Sequence, residues 1–167
     1  PLLNEIMHRR VDGLLVINHR DDNRYLHFLP LVDQGVPIVY IKNTPVDEKV
    51  SAVILDDETG GYLATRHLIQ LGHRKIAAIQ GLTNEECTKE RMAGFRKAFH
   101  EAGLEVNSKL LAKGDWSASS GYQAINDLLK KDDDFTAVFA HNDRMAVGAI
   151  QALRESGYKI PHDISVI

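Results

Sequence analysis

The sequence predicts an α/β fold with parallel sheets, and two observations carry this prediction. Short apolar runs alternate along the chain with segments of helical periodicity, which is the pattern of strands joined by crossover helices. Three helical segments end at a glycine, at 71–73 (LGH), 102–104 (AGL) and 156–158 (SGY), where glycine accepts the left-handed backbone that stops a helix. Ligands of such sheets bind in the loops after the carboxyl ends of the strands, so we expect the site there.

The first 55 residues contain three predicted strands and two helical segments. Each strand is a nearly continuous apolar run, as expected for a parallel sheet with helices on both faces. Pro37 is tolerated because it stands near the start of its run. In order, the predicted elements are the end of a helix at 1–10, a strand at 11–17 (VDGLLVI), a helix at 22–34 that ends before Gly35, and strands at 36–41 (VPIVYI) and 50–55 (VSAVIL).

The remaining residues continue the alternation of helices and strands. A helix begins at Asp56 or Asp57, because a short carboxylate accepts the free N–H groups of a first helical turn. Its apolar spacing predicts a buried face made of Leu63, Ala64, Leu71 and either His67 or Leu68. The later predicted elements are strands at 76–79, 110–111, 136–140 and 164–167, and helices at 86–102, 117–131 and 145–153.

Composition and charge exclude several classes of protein. The chain has 167 residues, 44% of them hydrophobic, and a net charge of −3 without a dense block of Lys and Arg that would bind nucleic acid. No apolar stretch approaches the roughly 20 residues of a membrane span. Cys87 is the only cysteine, which excludes an internal disulfide and favours a reducing compartment such as the cytoplasm. Because the chain starts at Pro1 and stops within an apolar run, we expect a piece of a longer protein.

The loops after the predicted strands are rich in planar hydrogen-bonding groups and contain one large aromatic side chain. An indole covers the apolar face of a sugar or base, while Arg, Asn and Asp bind its hydroxyls or ring nitrogens. These loops therefore predict a site for a small polar ligand. They contain Asn18, His19 and Arg20, then Lys42 and Asn43, then the segment 81–91, then Gly114, Asp115 and Trp116, and finally His141, Asn142 and Asp143.

Each of these candidates also has a structural alternative. Trp116 is either a pocket residue or ordinary core. Arg91 is either a pocket residue or one half of a surface ion pair with a neighbouring glutamate, Glu86 or Glu90. Asn142 and Asp143 open a helix, so one of them caps it, and capping is compatible with ligand binding.

The motifs of common enzymes and metal sites do not occur. No GxGxxG follows a strand, no GxxxxGK[ST] is present, and the serines at 117–120 lack the glycines of a nucleophile elbow. The eight histidines form no HxxxH pair and no Cys/His cluster at metal spacing. Cys87 lies beside Lys89, which could lower its pKa, but a spare thiol is the simpler interpretation. The sequence therefore predicts no catalytic residue, no metal and no cofactor.

Five stretches together identify a family. They are DDETGGYLATRHLIQLGHRKIAAI at 56–79, VDGLLV at 11–16, ERMAGFRKAF at 90–99, GDWSASSGYQAI at 114–125, and HNDRMAVGAIQAL at 141–153 with IPHDISVI at 160–167. In order and spacing they resemble the LacI/GalR family of bacterial transcriptional regulators. The resemblance covers essentially the whole chain.

The resemblance implies an effector domain of two lobes, like that of periplasmic binding proteins. Residues 1–55 would form part of the N-terminal lobe and residues 56–167 most of the C-terminal lobe, with both lobes incomplete. It also implies operator DNA as a partner, through an N-terminal helix-turn-helix absent from this sequence, and a cytoplasmic homodimer that does not bind a membrane. The helix near Val147–Leu153 is then a candidate dimer interface, although its apolar face could serve the core alone.

The resemblance also implies roles for individual residues. Arg91 matches an arginine that binds ligand hydroxyls or a carboxylate, and Trp116 matches an aromatic side chain that packs on the ligand. Asn142 and Asp143 match positions that hydrogen-bond the ligand or orient the arginine. Lys42 stands where many members have Asp or Asn, so it either recognises an anionic effector or points to solvent. His19 is a further candidate from its position after a strand.

The function implied is that of an effector-binding core, which controls the operator affinity of a regulator by lobe closure. The effector would be a sugar, a sugar acid or phosphate, or a nucleobase-like molecule. The alternative is the solute-binding protein of a sugar transporter, which shares the fold. The GHRKI and IPHDISVI stretches are more typical of regulators. An enzyme with a similar layout is a third, weaker hypothesis.

Overall fold

The computed structural model describes residues 11–17, 28–41, 50–131 and 134–167. The chain divides into two compact units, Pro1–Leu55 and Asp56–Ile167. The helix expected at 1–10 lies outside the described residues, and so does the first part of the helix expected at 22–34.

The first unit contains a three-stranded parallel sheet. Its strands are β1 (Leu14–Ile17), β2 (Ile38–Ile41) and β3 (Ser51–Val53), in the order β1-β2-β3. Helix α1 (Leu29–Asp33) provides Leu31 to a small buried cluster with Ile38, Tyr40 and Val50. All three predicted strands of this unit are confirmed, although each is shorter than its apolar run.

The second unit contains a four-stranded parallel sheet in the order β5-β4-β6-β7. This arrangement confirms the predicted α/β class. The elements in chain order are α2 (Asp57–Gln70), β4 (Ile76–Gln80), α3 (Glu86–Glu101), a 3-10 turn (Ser108–Leu110), β5 (Leu111–Lys113), α4 (Ala118–Lys130), β6 (Ala137–Ala140), α5 (Asp143–Glu155) and β7 (Ser165–Val166).

Helices cover both faces of this second sheet. Alternate residues of a strand point to opposite faces, so β4 and β6 each contribute to two cores. On one face Ala78 and Phe139 pack with Phe95 of α3, and on the other Ile79 and Val138 pack with helices α4 and α5. This double burial explains why residues 76–79 of β4 and Ala137–Ala140 of β6 are all apolar.

The helices on each face pack in close pairs through glycine. A Cβ atom on Gly61 of α2 would lie 2.2 Å from the backbone oxygen of Arg91 in α3, and one on Gly94 would lie 2.0 Å from that of Glu58. Helices α4 and α5 meet in the same way, since a Cβ atom on Gly148 would lie 1.8 Å from the oxygen of Ala118. The α2–α3 contact brings Asp57 to the side chain of Arg91.

The helix ends follow the sequence, but one predicted helix face does not. Asp56 caps α2 by accepting the N–H of Thr59 at 2.8 Å, and the three glycines predicted to stop helices have φ angles of 97°, 66° and 90°. The predicted burial of Leu63 and Leu71 is wrong, because they are 48% and 62% exposed. Of the two alternatives His67 and Leu68, Leu68 is buried as predicted and His67 is exposed. Ala64 is only half-buried, and Gly61 and Thr65 are the other buried residues of α2.

No described helix combines the length and the apolar character that crossing a bilayer requires.

Candidate functional site

The carboxyl ends of β4, β5 and β6 meet at one edge of the second sheet. Backbone hydrogen bonds join the loops that follow these strands. The N–H of Gly114 donates to the oxygen of Gln80 at 2.7 Å, and the N–H of His141 donates to that of Ile79 at 3.0 Å. The side chains that follow each strand are therefore brought together, as the parallel arrangement predicts.

Arg91 links three elements at this edge. Its Nε and Nη2 atoms donate to Oδ1 of Asp57 at 2.8 and 2.6 Å, and its Nη1 donates to the backbone oxygen of His141. The side chains of Arg91 and Asp57 are only 20% and 13% exposed. The alternative of a surface pair with Glu86 or Glu90 is wrong, because Arg91 turns inward to the start of α2 while Glu86 pairs with Lys89.

Trp116 lies between the core and this edge. Its φ of 72° is in the left-handed region that a bulky residue rarely adopts. The indole packs closely against Gly81, where a Cβ atom would lie 2.1 Å from two ring atoms. Its Nε1 donates to Oε2 of Glu85 at 3.0 Å, and the guanidinium of Arg91 lies 5.7 Å from its ring centroid. The half-buried indole also contacts the core cluster, which supports the core interpretation in part, and a pocket role for Trp116 stays a prediction.

Asn142 combines capping with positioning. Its Oδ1 accepts the N–H of Met145 at 2.9 Å, which makes it the N-cap of α5 as predicted. Its Nδ2 donates to the backbone oxygen of Trp116 at 3.0 Å, and this bond supports the left-handed backbone there. Asp143 is the exposed first residue of α5, and it makes no hydrogen bond or ion pair to another described residue.

His141 is a buried polar residue beneath the indole. It is 3% exposed, and its Nδ1 accepts the N–H of Gly81 at 3.4 Å, which leaves the ring proton on Nε2. Within the described part of the chain, Nε2 is buried without a hydrogen-bond partner, as is the hydroxyl of Thr88. Burial and the nearby positive charge of Arg91 lower the pKa of His141 to about 3, so the ring is neutral.

All the candidate loop residues before Leu55 lie outside the described residues: Asn18, His19, Arg20, Lys42 and Asn43. Among residues 11–17, 28–41, 50–131 and 134–167, no group of three or more His, Cys, Asp or Glu side chains is arranged to hold a metal ion. Cys87 is half-buried, and its thiol donates to Oε2 of Glu85 at 3.8 Å.

Comparison with known proteins identifies the family. Residues 2–167 match the family described as periplasmic binding proteins and sugar binding domain of LacI family. The chain belongs to this family. The predicted resemblance to LacI-family regulators is therefore confirmed.

The relatives of this LacI-family chain include named transcriptional repressors. It is 40% identical over 169 residues to the HTH-type transcriptional repressor PurR of Mannheimia succiniciproducens, covering 99% of this chain and 49% of that protein. It is 37% identical over 165 residues to PurR of Aliivibrio salmonicida, covering 99% of this chain and 49% of that protein. The chain thus spans about half the length of the curated relatives it matches.

Solved structures share the fold of this LacI-family chain. A sugar-binding transcriptional regulator of the LacI family from Escherichia coli, complexed with phosphate, has a TM-score of 0.84 at 29% identity, covering 99% of this chain and 59% of that one. The transcriptional regulator CelR in complex with cellobiose has a TM-score of 0.81 at 39% identity, covering 99% of this chain and 50% of that one. These structures confirm the predicted periplasmic-binding-protein-like class.

Sequence reasoning about this LacI-family chain missed two contacts that shape the site. The sequence predicts Asp57 only as a helix cap, and it includes Glu85 only as one member of the segment 81–91. Their partners lie 34 and 31 residues away in the sequence. The segment after β4 contained a signal for Glu85, because an acidic side chain in a strand-end loop is a possible partner for an indole N–H.

Proposed function

We propose that this chain is the effector-binding core of a DNA-binding transcriptional regulator. The observation that carries the proposal is the arrangement of Trp116 beside Arg91 at the carboxyl ends of the strands. An indole face next to guanidinium and amide donors suits a small molecule with an apolar face and polar edges. The relatives named as HTH-type transcriptional repressors support a regulatory role for such binding.

Each predicted residue has a proposed part in this site. Trp116 packs on the apolar face of the effector, and Arg91 donates to its oxygens while Asp57 holds the guanidinium in position. Asn142 and Asp143 hydrogen-bond the effector or orient the side chains that bind it. His19 and Lys42 remain predicted contributors.

The mechanism we propose is ligand-dependent lobe closure. Residues 1–55 are assigned to the N-terminal lobe and residues 56–167 to most of the C-terminal lobe. An effector shifts the equilibrium between two conformations only by as much as its affinities for them differ, and this shift changes the affinity for operator DNA. The working unit is a cytoplasmic homodimer that contacts the operator through a helix-turn-helix. Val147 of α5, which is 61% exposed, belongs to the candidate dimer interface.

The named relatives favour this function over its alternatives. The solute-binding protein of a transporter shares the fold, but the cited relatives are transcriptional repressors. They are not enzymes, so the enzyme hypothesis gains no support from them.

A salt titration of DNA binding tests the proposed function. The protein is expressed from its full coding sequence, and its affinity for DNA from its own promoter region is measured at several salt concentrations. We expect log affinity to fall linearly with log salt, because contacts to phosphates release counterions. Absence of DNA affinity together with an export signal would move the same site into a transport protein.

A further inference from the structure

Only one of the two carboxylate oxygens of Glu85 accepts hydrogen bonds from described residues. It is the N-cap residue of α3 and is half-buried. Its Oε2 accepts the indole N–H of Trp116 at 3.0 Å and the thiol of Cys87 at 3.8 Å. Oε1 accepts no hydrogen bond from any described residue. The carboxylate can therefore hold the indole and accept a second hydrogen bond at the same time.

The indole depends on this contact for its orientation. Its Nε1 is a donor only, and a half-buried donor of this kind needs an acceptor. The backbone oxygen of Trp116 accepts a hydrogen bond from Asn142, and the ring packs against Gly81, but neither contact satisfies the indole N–H. Glu85 is its only hydrogen-bond partner among the described residues.

The charge of Glu85 is not balanced by a described cation. No described Lys or Arg forms an ion pair with Glu85. The guanidinium of Arg91 is directed to Asp57, while Lys89 pairs with Glu86. This end of α2 and α3 is rich in carboxylates. Burial, together with the negative charges of Asp57, Glu86, Asp56 and Glu58, raises the pKa of Glu90.

We propose that Glu85 is a specificity residue of the effector site, an inference that rests on the proposed function. Oε2 fixes the indole edge of Trp116, and Oε1 accepts a hydrogen bond from a hydroxyl or N–H group of the effector. The effector is then an uncharged molecule with such donors beside an apolar face. A carboxylate or phosphate group at the same place has no proton to donate and is repelled by Glu85.

This preference opposes the anion-binding role predicted for Lys42. If Lys42 selects the effector, a sugar acid or sugar phosphate binds more tightly than the neutral molecule. If Glu85 selects it, the neutral molecule binds more tightly. The relative affinities of matched neutral and anionic ligands therefore distinguish the two hypotheses.

The first measurement uses the fluorescence of Trp116, the only tryptophan of residues 1–167, taken as the emission of the intact protein minus that of its Trp116→Phe variant. Three variants of the protein are compared with the wild type: Glu85→Gln, Glu85→Ala and Glu86→Gln. We expect a red-shifted emission and stronger acrylamide quenching for Glu85→Ala alone, because the Gln amide oxygen still accepts the indole N–H. Glu86→Gln is the matched control. It removes the same charge from the next residue in the sequence, where Glu86 forms an exposed ion pair with Lys89.

The second measurement compares matched ligands by calorimetry. The probes are glucose with glucose 6-phosphate and glucuronate, and guanosine with its monophosphate. One of these ligand sets is expected to bind. Within it, we expect the wild type to bind the neutral ligand with at least about tenfold higher affinity than its anionic counterpart. In Glu85→Gln this ratio should fall at least about threefold, and in Glu86→Gln it should stay unchanged.

Different results overturn different claims. Unchanged Trp116 fluorescence in a folded Glu85→Ala variant would overturn the role of Glu85, as would tighter binding of the anionic ligands by the wild type. Both results leave the proposed effector-binding function intact. If no probe binds and none alters DNA affinity, the proposed function fails, and the specificity assigned to Glu85 fails with it.

Discussion

At the scale of single residues, Arg91 and Asp57 satisfy one another's charge and hydrogen bonds. Arg91 compensates the charge of Asp57 and also bonds the backbone oxygen of His141. Removing one partner of such a little-exposed ion pair leaves the other charge poorly solvated, which is why these pairs resist substitution. Asp57 and the backbone of His141 thus hold the guanidinium of Arg91 in position, and preorganisation of this kind lowers the cost of binding.

His141 makes stability depend on pH. Its pKa is lowered from 6.5 to about 3 in the folded protein, so its contribution to stability is complete above pH 6.5 and is lost as the pH falls towards 3. The unfolded chain takes up a proton in this range that the folded chain does not, at about 1.4 kcal/mol per pH unit. We expect the free energy of unfolding to drop about 2 kcal/mol more between pH 7 and 5 in the wild type than in His141→Asn.

Urea unfolding at the two pH values checks this prediction. The control variant is His162→Asn, which removes an exposed histidine from the same unit. It should follow the wild type. Parallel loss of stability in the wild type and in His141→Asn would contradict the neutral, buried state of His141.

The sequence predicted which side chains lie together at this edge of the sheet better than it predicted their contacts. Arg91, Trp116 and Asn142 follow from strand-end positions alone, because the fold class determines that these loops meet. The sequence offered Glu86 or Glu90 of the same helix as the partner of Arg91, whereas the observed partner, Asp57, stands 34 residues earlier. Contacts of this length depend on how α2 and α3 pack, and periodicity contains no information about that packing.

At the scale of elements, glycine sets the distance between paired helices. Gly60 and Gly61 are neighbours on α2, yet a Cβ atom on Gly60 would meet nothing within 4 Å, while one on Gly61 would lie 2.2 Å from the oxygen of Arg91. We expect Gly60→Ala to stabilise the protein by roughly 0.5–1 kcal/mol through helix propensity. Gly61→Ala should destabilise it by about 1–3 kcal/mol, because α2 must move away from α3.

Thermal or urea unfolding of the two single variants measures this difference. Each variant serves as the control of the other, since the substitution and the helix are the same. Equal effects of the two substitutions would show that α2 and α3 do not pack through Gly61.

The same packing explains where the sequence misjudged an element. A buried helix face was expected to contain Leu63 and Leu71, because apolar side chains normally mark it. The face of α2 that meets α3 contains the small residues Gly61 and Thr65 instead. The strands were easier to predict. Because β4 and β6 are buried on both faces, their sequences are short, largely apolar runs and not an alternation of polar and apolar residues.

At the scale of the whole molecule, each unit has its own parallel sheet and its own core. In the second unit the central strands β4 and β6 contribute residues to the cores on both faces of the sheet, and the polar loops follow the carboxyl ends of these strands. Rigid elements therefore support the candidate site, which favours precise placement of its side chains. The sequence predicted this class because its alternation of strands and helices leaves few other topologies.

Effector and operator binding must be reciprocal if the proposed function is correct. The factor by which the effector changes operator affinity equals the factor by which operator DNA changes effector affinity, since both are the same coupling free energy. We expect Arg91→Met to lose at least about tenfold in effector affinity, because hydrogen bonds from a charged donor are lost. Its operator affinity without effector should stay within about threefold of the wild type, because the proposed function assigns Arg91 to the effector site and DNA contact to a separate helix-turn-helix.

Calorimetry and DNA titration on the intact protein measure the affinity for the effector with and without operator DNA, and for operator DNA with and without the effector. The effector used is whichever of the neutral and anionic ligands named above binds. Lys97→Met is the matched control, because it removes a cation from the same helix where its pair with Glu58 is about half exposed, at 55% and 50%. This control should retain both affinities and their coupling. Unequal coupling factors would mean that a third equilibrium is linked to the two binding events. Loss of operator affinity in Arg91→Met without effector would mean that Arg91 stabilises the DNA-binding conformation itself.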